Sequence, residues 1–180
     1  AHKIYRSDHL PPHHSVAANK VKGAFDAAMH LLDLGHRRIG YIGTKRAGTS
    51  QFESEVYEGF RSALLYAGVH LADSDYMEFH TDEPERAADA VRTFLKRRPL
   101  PTAIMAQTDA IALALLDAAR QAGLRVPGDL SVVGFNDQEE AALSDPPLTT
   151  FSTPRYDQGR AVVAIVLAAA EDPAGPWRKE

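Results

Sequence analysis

No cysteine occurs in the 180 residues, which excludes disulfides and thiol nucleophiles and leaves the redox compartment unread. No apolar run approaches the roughly 18 residues needed to cross a bilayer. No signal-peptide pattern opens the chain either. Positive charge is not in excess: the formal net charge is −4, which argues against a broad nucleic-acid footprint. Internal repeats and low-complexity tracts are missing as well. The first residue is Ala1 rather than methionine, so a fragment of a longer protein is expected. The remaining composition is that of an ordinary globular protein. The length suits one domain with a real core, or two small lobes.

The most informative stretch is 102–135. A short apolar run, Thr102–Ala106, follows Pro101 and leads into the polar turn Gln107-Thr108-Asp109. Helical periodicity follows, with Ile111, Leu115, Ala118, Ala119 and Ala122 able to share a face. Gly123 sits where that helix would stop, and Pro127 lies just beyond. A second apolar run, Leu130–Phe135, ends at the polar turn Asn136-Asp137. The pattern predicts strand, helix, strand. Runs without strict alternation fit a parallel sheet covered by helices on both faces, an α/β doubly wound fold. Right-handed crossovers bring both polar turns to the carboxyl edge of that sheet, where ligands bind.

Periodicity elsewhere predicts helices over 19–34, 52–67, 84–97, 139–143 and 155–170, and strands over 39–42, 76–80 and 148–152. Gly35 and Gly68 stand at two helix ends, and Pro84 suits a first helical position. The final helix carries Val162, Val163, Val166 and Leu167 on its apolar side. Four histidines (His2, His9, His13, His14) could bind a metal, but no carboxylate or cysteine completes a tetrahedral set, so no metal is expected. The loop GTKRAGTS (43–50) is a near miss to a phosphate-cradling loop, because Thr49 stands where that loop needs lysine. A plain strand-to-helix loop beside a pocket is the expectation.

Four strings carry a family resemblance: VKGAFDAAMHLLDLGHRRIGYIG (21–43), YEGFRSALLYAG (57–68), TDAIALALLDAARQAGLRVPGDLSVVGFND (108–137) and DPPLTTFSTPRYDQGRA (145–161). In this order, they resemble the effector-binding region of lactose-repressor-type transcription regulators. The resemblance implies a type I periplasmic-binding-protein-like fold, with two α/β lobes and a small molecule between them. It places residues 1–35 in part of an amino-terminal lobe, 36–150 in a nearly complete carboxy-terminal effector-binding lobe, and 151–180 in a crossover, a return helix and a tail. It also implies a cytoplasmic homodimer without cofactor, and DNA contact only through a helix-turn-helix headpiece that this chain lacks.

The residues expected at the ligand are Thr108, Asp109, Asn136, Asp137, Phe52, Asp82 and Arg155. Thr108-Asp109 stands where the family usually has Asn-Asp. Asp109 reads either as a helix N-cap or as a ligand contact. Asn136 replaces an aspartate that in the family often grips a sugar hydroxyl or a purine group. It keeps an acceptor, adds a donor and removes charge. Asp137 reads as a turn residue or as a ligand contact. An arginine common three residues before Gly59 is Val56 here, and the turn that often carries a stacking aromatic falls near Asp82. Phe52 offers either a surface for a ring or plain packing. Arg155 offers either a guanidinium from the other lobe or a solvated charge. These departures leave the effector, sugar or nucleoside-like, open.

No histidine or lysine lies near 108–109 or 136–137 in sequence, so a nucleophile–base pair is missing and an enzyme is not expected. The leading expectation is a ligand-sensing module of a transcription regulator. A solute-binding protein for transport, on the same fold, is the alternative. For the dimer, Ile111, Leu115, Ala142 and Leu143 read either as an isologous interface or as packing on their own sheet.

Overall fold

The apolar runs that read as strands are covered on both sides by helices. The computed structural model describes residues 16–44, 51–79 and 84–171, the side chains of 51–54 and 84–87 excepted. Along the chain run α1 (Lys20–Asp33), β1 (Ile39–Thr44), α2 (Gln51–Tyr66), β2 (Tyr76–Phe79), α3 (Pro84–Leu95) and β3 (Ala103–Ala106). Then follow α4 (Asp109–Gln121), β4 (Ser131–Asn136), α5 (Glu139–Leu143), β5 (Thr149–Ser152) and α6 (Arg155–Glu171). The five strands form one sheet in the order β2-β1-β3-β4-β5, with every pairing parallel. This is the expected α/β doubly wound class. The histidines at 2, 9, 13 and 14, loop residues 45–50, Asp82 and the tail from 172 lie outside the described residues.

Strand alternation divides the core in two. Ile104 and Ala106 of β3 meet Val91 and Phe94 of α3 and Leu115 and Ala119 of α4. Ala103 and Met105 face the opposite way, toward Ala24 and Leu31 of α1 and Phe60 and Leu64 of α2. Each Leu, Ile, Met or Phe buried here contributes about 1.5–3 kcal/mol of transfer free energy. Ile111 and Leu115 of α4 are 4% and 0% exposed and belong to the first of these cores. That leaves them unable to face a second copy of the chain, and only Ala142 and Leu143 of the four dimer candidates stay exposed. Helix α4 ends as its sequence suggests: Gly123 takes φ +73, and the Leu124 N–H donates to the Ala119 carbonyl.

The chain divides into two compact units, Lys20–Ser152 and residues 1–19 with 153–180. Helix α1 belongs with the sheet because its whole small-residue stripe (Gly23, Ala24, Ala27, Ala28, Leu31, Leu32) is buried there. Gly59 on α2 permits this docking, since a Cβ at that position would run into the Val21 carbonyl and Ala24. In the second unit α6 has no buried residue, and Val162, Val163, Val166 and Leu167 are exposed.

Candidate functional site

Parallel β3 and β4 are neighbours, so the turns that leave their carboxyl ends lie side by side. Thr108 has an extended backbone (φ −141, ψ 159) and caps α4, its Oγ1 accepting from the Ile111 N–H at 3.4 Å. The cap role considered for Asp109 thus belongs to its neighbour. Asp109 is the first helical residue, and its charge suits the positive end of α4.

Asp109 is 0% exposed, and both of its oxygens are engaged. The Gln138 N–H donates to Oδ2 at 2.7 Å, and the Thr150 hydroxyl donates to Oδ1 at 2.5 Å. The Asp137 N–H in turn donates to Thr150 Oγ1 at 3.3 Å. One carboxylate therefore ties the start of α4, the turn after β4 and strand β5 together. Gly134 leaves room for it: a Cβ there would collide with Asp109 Oδ1. A buried charge of this kind is tolerable only when hydrogen-bonded, as this one is.

The turn held by this network is unusual. Asn136 has φ +113 and Asp137 φ +56, both on the side of conformational space that side chains other than glycine seldom occupy. Such residues cost of order 1–3 kcal/mol each and persist where the surroundings over-determine them, often at ligand sites. Here the surroundings are the two N–H donations to Thr150 and Asp109. The result is a rim on which Thr108 and Asn136 are half-buried and Asp137 is exposed.

A second latch lies on the other side of β3. Gln107 is 5% exposed, and its Oε1 accepts from the Thr44 N–H at 2.5 Å, joining the ends of β1 and β3. Gly43 leaves space for that oxygen, which a Cβ would meet at 2.5 Å. The rim thus assembles Thr44, Gln107, Thr108, Asn136 and Asp137 over one sheet edge, with neutral amide and hydroxyl groups at Thr44, Gln107, Thr108 and Asn136.

Four of the seven expected residues come together: Thr108, Asp109, Asn136 and Asp137. Of these, Asp109 serves as the keystone beneath the rim. Phe52 lies in the first turn of α2, its side chain outside the described residues, as is Asp82. Arg155 belongs to the second unit, where its Nε donates to Thr153 Oγ1 at 3.3 Å. Val56, the position of the family's arginine, is 3% exposed and packed in the core with Phe60. Thr44, Gln107, Gln138 and Thr150 were not foreseen as site residues. Gln107 carried a signal, as the first polar residue after a buried strand. Thr150 carried none, because its partner lies 41 residues away. Among the described residues no group of His, Asp or Glu side chains could hold a metal ion.

A model of the periplasmic binding protein-like domain matches residues 28–180. The transcriptional repressor CytR of Escherichia coli (strain K12) is 34% identical over 155 residues, covering 85% of this chain and 44% of that protein. Two solved structures are similar at a TM-score of 0.76. One is a LacI-family regulator from Sanguibacter keddieii, 30% identical over 86% of this chain and 57% of its own. The other is the transcriptional regulator CelR in complex with cellobiose, 29% identical over 87% of this chain and 47% of its own. The chain spans less than half the length of the curated relatives it matches. It belongs to the periplasmic binding protein-like domain family, in the form found in lactose-repressor-type transcription regulators.

Proposed function

We propose that this chain is the effector-sensing module of a transcription regulator and that its effector is a neutral, hydroxyl-rich small molecule, a sugar or a nucleoside. The observation that carries this reading is the over-determined rim at the sheet's carboxyl edge. A buried carboxylate holds Asn136 and Asp137 at positive φ and leaves Asn136 and Thr108 partly open. Amide and hydroxyl groups donate and accept hydrogen bonds without requiring charge on the ligand, which suits hydroxyls better than phosphates. The family supports the regulatory role, and a sugar complex of one relative supports the ligand class. A sensing role needs effector affinity that differs between two states of the parent regulator. DNA contact falls to a headpiece outside this chain, and the working form is a cytoplasmic homodimer. Transport is the weaker reading, because the matched relatives are regulators.

A thermal-shift panel of neutral sugars, nucleosides, sugar phosphates and amino acids tests this. A true effector at a hundred times its dissociation constant adds about 2.7 kcal/mol. Asn136→Gly supplies the control, because glycine adopts φ +113 readily while lacking the amide. It keeps the fold and loses the shift. Stabilisation by phosphorylated compounds alone would overturn the neutral class, and a silent panel would overturn the effector reading.

A further inference from the structure

Helix α2 carries two stripes. Val56, Phe60 and Ala63 face the core, whereas Tyr57, Arg61 and Leu65 follow one another at helical spacing toward a groove. The far side of the groove is the segment running from Val69 through Asp73 to β2. Its volume is about 490 Å³, within the range of small-molecule sites. It lies entirely in the Lys20–Ser152 unit.

The groove is chemically divided. Tyr57 and Tyr76 form an aromatic wall, their ring centroids 5.0 Å apart and tilted by 50°. Tyr76 is stacked in turn on fully buried Tyr41, at 6.0 Å and 12°, so the wall is anchored in the core. Leu64 and Leu71 add aliphatic surface. Arg61 and His70 also line the groove, and Arg61 makes no hydrogen bond or ion pair among the described residues. Asp73 adds a negative charge to the lining.

We propose that this groove is a second small-molecule site, taking a single-ring aromatic carboxylate. The ring packs edge-on against Tyr57 and Tyr76, whose faces attract aromatic edges. The carboxylate meets the Arg61 guanidinium, whose planar fork fits two oxygens at once. Asp73 repels a second negative charge, which selects monoanions over phosphate and dicarboxylates. The proposal does not depend on the effector reading, because none of these residues belongs to the rim around Thr108 and Asn136.

The test is a two-dimensional NMR titration of the full 180-residue chain with phenylacetate, compared with acetate and benzyl alcohol. Phenylacetate is expected to give saturable shifts at residues 57–76, and each comparison compound binds about tenfold more weakly for want of one half of the recognition. Arg61→Gln, at an exposed position that leaves folding intact, weakens phenylacetate about tenfold and leaves benzyl alcohol unchanged. Three results would overturn the site. These are an absence of saturable shifts, shifts centred on Thr44, Gln107 and Asn136, or phenylacetate binding indifferent to Arg61→Gln. The sugar and nucleoside panel on the same variant keeps its response, so the two readings fail separately.

Discussion

Asp109 accepts from a backbone N–H and from a hydroxyl while shut away from water, and that combination sets its energetic role. Removing one partner of a buried hydrogen bond costs about 1–3 kcal/mol, since the group left behind keeps its desolvation penalty. Asp109→Ala and Thr150→Val are each expected to cost at least that much in urea unfolding, with the slope unchanged. The double variant should cost less than the sum, because both single changes break the same Asp109–Thr150 bond. Full additivity across the four proteins would show that the two residues act separately. The sequence offered two roles for Asp109, cap or ligand contact, and the structure gives the cap to Thr108. Capping fell to Thr108 because that residue, one position earlier, has the extended backbone a cap needs. The partners at 138 and 150 come from folding, which brings strand ends together, and no local spacing reveals them.

His36, between α1 and β1, shows the same joining at the opposite edge of the sheet. Its Nδ1 lies 2.9 Å from Thr102 Oγ1 and its Nε2 lies 3.0 Å from Ser131 Oγ, so one ring links the starts of three strands. Thr102 Oγ1 itself donates to the Arg38 carbonyl at 3.2 Å, which leaves it to accept from His36 Nδ1–H. The other nitrogen then accepts from the Ser131 hydroxyl, and the neutral ring satisfies both bonds. Burial holds the His36 pKa below its ordinary 6.5. Below about pH 6.5 the unfolded chain therefore takes up a proton that the folded chain refuses. Stability supplied by this group is present above that pH and is lost as the pH falls toward the folded value. Urea midpoints measured from about pH 7 down to 5 should fall, and His36→Gln should flatten that fall. An unchanged slope in the variant would remove His36 from the account. Elements themselves were legible: the helix read at 19–34 is Lys20–Asp33, and the strand read at 102–106 is Ala103–Ala106. Burial imposes a period that survives in the sequence. The packing partner of α1 was less legible, because a small-residue stripe such as Ala24, Ala27 and Ala28 says that a helix packs closely but not against which elements.

At the scale of the whole chain, every described core side chain lies between Ala24 and Leu148, inside the Lys20–Ser152 unit, while α6 buries none. A fragment of residues 20–152 is therefore expected to unfold cooperatively at nearly the same urea midpoint as the full chain. A fragment without a cooperative transition would mean that the second unit supplies stability through contacts beyond α6. Association is a separate matter. With Ile111 and Leu115 committed to the chain's own core, an isologous interface at this end must use what α5 leaves outside, above all Leu143 at 84% exposure. Around a two-fold axis each such residue occurs twice, so one substitution acts on both protomers. Leu143→Glu would place like charges near Glu139 and Glu140 of the same helix and across the axis. The expected outcome in sedimentation is a dimer for the natural sequence and a monomer for the variant. The urea midpoint of the isolated monomer should stay unchanged, because an exposed side chain contributes little to the fold. A variant that remains dimeric would move the interface away from α5, and a natural chain that is already monomeric would defeat the homodimer reading for residues 1–180.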